Sequence, residues 1–323
     1  MLVISESEAR TLVGMQDAID AVGASFAALD RAEAASYPVV RERLGAHDAV
    51  FGVKTGFDRS AAVLGLKAGG YWPGNAAKGL TNHQSTTLLF DASTGQAAAL
   101  VGANYLTAVR TGAAAAVATR HLARSDATVL GVVGTGTQAL YQLDAIRCVR
   151  TITEVIAWNR GEVRLETFLA AVRERGIAAR SASLEETVRG ADILVTVTPG
   201  QAPLVRRDWV RPGTHINAMG ADTAGKQELD PALVAAAEIY VDSAEQAVSI
   251  GECQHAARLG LLPTGRDFGT LGGLVSGRLP GRTSPASITL FDSTGLALQD
   301  LAVAALAVQR ATQAGRGAAV PFT

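Results

Sequence analysis

The chain of 323 residues is short of cysteine, of surplus charge and of uninterrupted apolar runs. Cys148 and Cys253 are its only thiols, far apart and with no CxxC pair or Cys/His cluster around them. Neither a disulfide framework nor a zinc centre is supported, both thiols read as packing residues, and no metal is expected. Lys and Arg number 29 against 30 Asp and Glu, and the cations are scattered instead of forming a stripe or tail. Neutralisation of phosphates by clustered cations drives nucleic-acid binding, so no nucleic-acid partner is expected. The most apolar long stretch, Ala97 to Leu122, is interrupted by Asn104, Arg110, Arg120 and His121. That falls short of the roughly 20 apolar residues of a membrane span, and no membrane partner is expected. The first residues, MLVISESEARTLV, place acids where an export signal needs a basic start and an apolar core, so a cytoplasmic protein is expected.

What is present is apolar content of 48%, enough to bury one or two cores. From Ser5 to Arg31 the apolar residues Leu12, Met15, Ile19, Val22, Phe26 and Leu29 recur at helical spacing and predict one or two helices. Between Val39 and Val101 short strand-like runs follow, namely VVRERL, AVFGVKTGF, AVLGLKAGGYW, STTLLFD and AAALVG, with DASTG as a hairpin turn. They predict an antiparallel or mixed sheet. The Ala-rich stretch from Tyr105 to Ala123 suits a bridging helix. From Ala127 strands and helices alternate, the pattern of a parallel sheet covered by helices. ATVLGVVG, EVIAWN, ADILVTVT, THINAMG and EIYVDS read as its strands, and QALYQLDAIRCV, EVRLETFLAAVRERG and LEETVRG as helices between them. After Asp292, STGLALQDLAVAALAVQRATQAG reads as one long helix that returns to the first domain. The expected fold is α/β: a Rossmann-like doubly wound domain over residues 118–293, and a discontinuous α+β domain from residues 1–117 plus 294–323.

VVGTGTQA holds a G-x-G-x-x-A fingerprint, Gly134, Gly136 and Ala139, directly after an apolar strand and at the start of a helix. The first glycine permits a tight turn, the second lets backbone approach a pyrophosphate, and the small third residue lets helix and strand pack closely. Free N–H groups and the helix dipole favour phosphate there. Thr135, Thr137 and Gln138 complete the turn that binds NAD or NADP. At the end of the next strand an acid would take the ribose hydroxyls of NAD, and an arginine the 2′-phosphate of NADP. Asn159 and Arg160 stand there, which favours NADP, although an exposed Arg after a strand is equally a solvated charge. Thr196, Val197 and Thr198, and Met219 with Gly220, end two further strands and are expected to border the cofactor.

Cations among apolar strand residues need a partner, and a bound carboxylate would supply one. Arg41, Arg43, Lys54, Lys67 and Arg110 are the candidates. At these residues the chain resembles the ornithine cyclodeaminase and mu-crystallin family, over nearly its whole length. GLKAGGYWPGN looks like the family's strand with a substrate lysine, LTAVRTGAAAAVATRHLA its helix with an arginine, and VVGTGTQA its cofactor turn. MGADTAGKQEL resembles the segment that carries the cyclodeaminases' catalytic aspartate, and STGLALQDLA the C-terminal motif. The resemblance implies that Arg41, Lys67 and Arg110 hold a substrate carboxylate, that Asp222 sits near the reacting amine or imine, and that Lys67 and Asp222 are the catalytic residues. It also implies a homodimer through the sheet domain.

Where the cyclodeaminases carry an acid for the substrate amine, this chain has Lys54. A lysine there repels an ornithine ammonium and attracts a second anionic group, which implies a dicarboxylate. YWPGN, NHQST and SIGECQHA are similar to the subgroup of the family that makes aspartate from iminosuccinate. His83 and Gln84 could reach the second carboxylate, and His255 could act near the cofactor, though each suits a structural role equally. The expected activity is hydride transfer from reduced NAD or NADP to the imine carbon of an imino acid in the cleft between the domains, with iminosuccinate giving L-aspartate. Ornithine cyclodeamination, cyclic ketimine reduction and alanine dehydrogenation are the alternatives on the same scaffold, and a non-catalytic binding protein is a further one.

Overall fold

The computed structural model describes residues 1–263, 265 and 267–322. Leu2–Ile4 (β1) leads into Glu6–Leu12 (α1), whose start is secured by a capping box between Ser5 and Glu8. In Met15–Asp30 (α2) the buried Ala18, Ile19, Val22 and Phe26 fall on one helical face. Ala34–Ser36 (β2), Val40–Arg43 (β3), Val50–Asp58 (β4), Val63–Tyr71 (β5), His83–Phe90 (β6) and Ala97–Gly102 (β7) follow, then Asn104–Leu122 (α3). β4, β5, β6 and β7 form an antiparallel meander, with β1 parallel to β7 at one end, so the sheet is mixed.

The second stretch begins with Val129–Val133 (β8), Thr137–Arg147 (α4), Glu154–Trp158 (β9), Glu162–Glu174 (α5), Ala178–Ser181 (β10), Leu184–Gly190 (α6) and Ile193–Thr196 (β11). Gln201–Val205 (β12), His215–Ala218 (β13), Gln227–Leu229 (β14), Pro231–Ala236 (α7), Glu238–Val241 (β15) and Ala244–Ser249 (α8) continue it. Cys253–Arg258 (α9), Gly269–Thr270 (β16), Leu271–Val275 (α10) and Thr289–Asp292 (β17) complete it, before Ala297–Gln313 (α11) and Ala318–Ala319 (β18). An eight-stranded parallel sheet runs β10-β9-β8-β11-β13-β17-β15-β16, its order reversing at β8 as in a doubly wound Rossmann-like fold. β12 and β14 form a separate parallel pair. The sheet's core gathers Val133, Leu194, Ile216, Leu233 and Leu290, all fully buried.

Two compact units result, residues 1–110 with 296–323, and residues 111–295. The first division falls inside the continuous helix α3, ahead of the expected boundary at residue 118, because an unbroken Ala-rich helix carries no turn signal. α11 packs on β4 and β5, where Gly56 and Gly65 make room: a Cβ at Gly65 would lie 2.9 Å from Leu301 Cδ2. The helix expected from Ser293 begins only at Ala297. Buried Asp242 holds the preceding residues extended, accepting from Ser293 Oγ (3.2 Å), Thr294 Oγ1 (2.9 Å) and the Gly295 amide (2.6 Å). β17 was not distinguished in the sequence; it lies between β13 and β15. Among the described residues no single helix is long and apolar enough to cross a membrane, and no group of three His, Cys, Asp or Glu is placed to hold a metal.

Candidate active site

In the first unit the antiparallel register sets Lys54 opposite Lys67, and Lys67 opposite Thr87. Arg41 pairs with Gly52, which pairs with Gly69, and Gly69 with Ser85. Side chains alternate along a strand, so Arg41, Lys54, Lys67, Ser85 and Thr87 share one face. Two helices complete the group. Asp300 Oδ1, from α11, accepts from Lys67 Nζ and from Arg110 Nε of α3, each at 2.9 Å. Gln299 Oε1 accepts from Arg110 Nη1 at 2.8 Å, and Lys67 also donates to Thr107 Oγ1 at 3.4 Å.

The side chains of Lys67, Arg110 and Asp300 are 7%, 9% and 2% exposed, and this sets their electrostatics. Burial, with the Arg110 and Lys67 charges adding to it, lowers Lys54 to about 7. Burial lowers Lys67 to about 8 against the opposing pull of Asp300. Burial alone would raise the Asp300 carboxyl, yet the charges of Arg110, Lys67 and Lys54 hold it below the ordinary carboxylate value. Four cations stand against this one carboxylate. Three buried atoms of the cluster have no hydrogen-bond partner: Thr87 Oγ1, Gln299 Nε2 and Asp300 Oδ2. A free donor, a free acceptor and a hydroxyl beside surplus positive charge suit an anionic ligand that also carries N–H groups.

His83 begins β6 in phase with Ser85 and Thr87, on the cation face. Gln84 is out of phase with them. Its Nε2 donates to Thr81 O and Oγ1 at 2.8 and 3.0 Å, and its Oε1 accepts from Asn104 Nδ2 at 3.1 Å. The Gln84 amide is thus committed to holding the strand start against the first residue of α3.

The second unit holds the glycine turn. Gly134 has φ +97°, and a Cβ there would lie 2.7 Å from Thr198 Cγ2, so both backbone and space require glycine. Around the position a Cβ would take at Gly136 there is nothing within 4 Å, leaving the N-terminus of α4 open to a ligand. Ala139 is fully buried against the strand. Thr135 Oγ1 and Gln138 Oε1 are buried without a hydrogen-bond partner, and an open helix start beside an orphaned hydroxyl fits a pyrophosphate. Asn159 Oδ1 accepts from the Thr135 amide at 3.2 Å while its Nδ2 donates to Gly161 O at 2.8 Å, so Asn159 braces the turn. Arg160 is exposed. The Thr196 hydroxyl and the Thr198 and Gly220 amides all donate to Glu228, and the Met219 amide donates to Thr196 O.

Asp222 Oδ1 accepts from Lys226 Nζ at 2.6 Å and from Thr223 Oγ1 at 3.1 Å, with both members of the ion pair about one-third exposed. His255 Nε2, on α9, lies 3.1 Å from Lys226 O. Asp300, Gln299, Thr87, Lys226 and Glu228 were not singled out in the sequence. Asp300 had a visible signal, an acid in the otherwise apolar run LALQDLAVAAL.

The model of the ornithine cyclodeaminase/mu-crystallin family matches residues 1–315. An iminosuccinate reductase of Paracoccus denitrificans is 47% identical over 315 residues, 98% of each chain. The crystal structure of the iminosuccinate reductase of that organism with NAD+ superposes at a TM-score of 0.95, with 46% identity over 100% of this chain and 99% of the other. An archaeal alanine dehydrogenase dimer with bound NAD superposes equally, at 0.95, with 37% identity and the same coverage.

Proposed function

Because the chain belongs to the ornithine cyclodeaminase/mu-crystallin family, we propose that it is an NAD(P)H-dependent imine reductase that converts iminosuccinate to L-aspartate. The observation that carries this reading is the sheet face that Arg41, Lys54 and Lys67 share, where buried Lys67 and Arg110 bond the carboxylate of Asp300 and the buried Lys54 charge also bears on it. Arg41, Lys67 and Arg110 hold the carboxylate next to the imine, with Asp300 fixing the Lys67 ammonium and the Arg110 guanidinium. Lys54, one strand over from Lys67, takes the second carboxylate. A monocarboxylate leaves that buried ammonium without a ligand anion, which favours its neutral form.

Gly134, Gly136 and Ala139 form the turn that would hold the dinucleotide, with the Thr135 hydroxyl toward phosphate. When bound, the reduced nicotinamide supplies the hydride. The residues of the chain supply the proton chemistry: addition of hydride to a protonated C=N carbon leaves an amine, which takes one further proton to become the ammonium of aspartate. Asp222 is placed in this scheme as the group that exchanges that proton, and Lys226, 2.6 Å away, as the cation that holds its carboxylate in position. Arg160 would meet a 2′-phosphate in the absence of an acid at the end of β9.

The partly exposed outer face of the sheet, with Tyr37, Leu64, Leu66 and Phe90 around an apolar recess, is the face we assign to a homodimer. Size-exclusion chromatography with light scattering tests it, a monomer at micromolar concentration being the contrary result. The substrate reading is tested by inhibition. Succinate competes with the imino acid and propionate at equal concentration does not; equal inhibition by the two would remove the case for a second carboxylate site.

A further inference from the structure

At the carboxyl ends of β11 and β13 the backbone is tied by a side chain that the proposed reaction does not use. Glu228, on β14, is fully buried. It accepts from Thr196 Oγ1 at 2.8 Å, the Thr198 amide at 2.6 Å and the Gly220 amide at 3.0 Å. All three donors are neutral, and burial raises the Glu228 carboxyl above its ordinary value. Burying a carboxyl this way is costly, and only its bonds offset the cost. Glu228 is itself anchored from behind. Its amide donates to Glu252, and the Glu252 amide donates to Asp292.

The geometry around Glu228 leaves little freedom. A Cβ at Gly220 would fall 2.4 Å from Glu228 Oε2 and 2.3 Å from Thr198 O. Thr198 in turn fills the space that a Cβ on Gly134 would need. One carboxylate thus sets the spacing between the β11 and β13 ends and presses Thr198 against the first glycine of the dinucleotide turn. Strand order says which half of a dinucleotide this concerns. In a doubly wound sheet the ligand crosses the carboxyl edge where the order reverses, here between β8 and β11. The adenosine half belongs with β8, β9 and β10, where an acid or arginine reads its ribose, and the nicotinamide half with β11 and β13.

We infer that Glu228 is a positioning residue for the nicotinamide half of the cofactor, acting through Thr196, Thr198 and Gly220. The inference rests on the dinucleotide reading above. The test is the affinity of the full-length protein for NADH and for ADP-ribose, which lacks the nicotinamide, each measured by calorimetric titration. Glu228→Gln meets the Thr198 and Gly220 amides with at least one N–H of its own, so NADH binding weakens by about tenfold or more, while ADP-ribose binding stays within about twofold. Thr196→Val removes one donor and leaves the charge in place; it shows the same split at about three- to tenfold, and it decides the matter if Glu228→Gln does not fold. Equal weakening of both ligands, or no weakening of NADH, overturns the inference. Wild-type protein that binds neither ligand would overturn the dinucleotide reading itself, and this inference with it.

Discussion

Replacing Lys54 with Met keeps an unbranched apolar stem and deletes the ammonium, which separates a dicarboxylate site from a monocarboxylate site most directly. A hydrogen bond to a charged group inside a protein contributes about 1.5–3 kcal/mol, so Lys54→Met loses about 10- to 150-fold in affinity for succinate. Propionate affinity changes by less than about threefold on the same reasoning, since its carboxylate stays with Lys67 and Arg110. The pH dependence carries the signature. Lys54 is lowered to about 7 and Lys67 to about 8 in the free protein. A dianion that engages both ammonium groups raises both pKa values on binding, so the complex holds more protons than the free protein above pH 7. Affinity is therefore full below pH about 7, falls about tenfold per unit from 7 to 8, and about a hundredfold per unit above 8. In Lys54→Met only the Lys67 limb survives, about tenfold per unit and beginning near 8. Calorimetric titration of succinate into the NADH-saturated protein, in two buffers of different ionisation enthalpy, gives both the affinity and the protons taken up. A flat affinity from about pH 6 to about pH 9 without proton uptake, or a variant with the wild-type slope, refutes the reasoning.

Three further outcomes follow from the geometry. Asp300→Asn removes the charge that supports protonated Lys67, so the alkaline rise in KM for the imino acid moves to lower pH while kcat falls less; an unmoved KM profile in a folded variant would contradict the role given to Asp300. Gly134→Ala places a Cβ 2.7 Å from Thr198 Cγ2 at φ +97°, a strain of about 1–3 kcal/mol, and NADH binding followed by fluorescence weakens by about tenfold or more with circular dichroism unchanged. Arg160→Ala lowers NADP affinity by about tenfold and leaves NAD affinity unchanged if the guanidinium meets the 2′-phosphate; equal effects would return Arg160 to a solvated surface charge.

Much of this architecture is legible because local chemistry and global fold agree. The period-two runs between Val39 and Val101 become the meander β3 to β7, and the apolar run ending at Gly134 meets a helix start at the point a dinucleotide turn requires. Lys54, Lys67 and Arg110 stand out since a cation inside a strand or helix of apolar residues is costly without a partner. Their mutual arrangement is not legible. Lys54 and Lys67 face each other only through the β4–β5 register, and Asp300 reaches them from 233 residues beyond Lys67. The placement of Gln84 is hidden for a related reason: an amide next to a histidine looks like a binding pair, but strand alternation turns the two to opposite faces, and the Gln84 amide bonds Thr81 and Asn104. Glu228 carries no local signal at all, because its three donors, at the ends of β11 and β13, meet it only in the folded unit.

The most direct test of the central claim is turnover in the oxidative direction. L-aspartate, L-alanine, L-proline and L-ornithine are each supplied at neutral pH, before Lys54 and Lys67 lose their charge, with NAD and with NADP, and reduced cofactor is followed by absorbance. Aspartate is expected to give the highest kcat/KM, and ornithine to yield no proline. Preference for alanine or proline, or redox-neutral conversion of ornithine to proline, would contradict the assignment of Lys54 to a second substrate carboxylate.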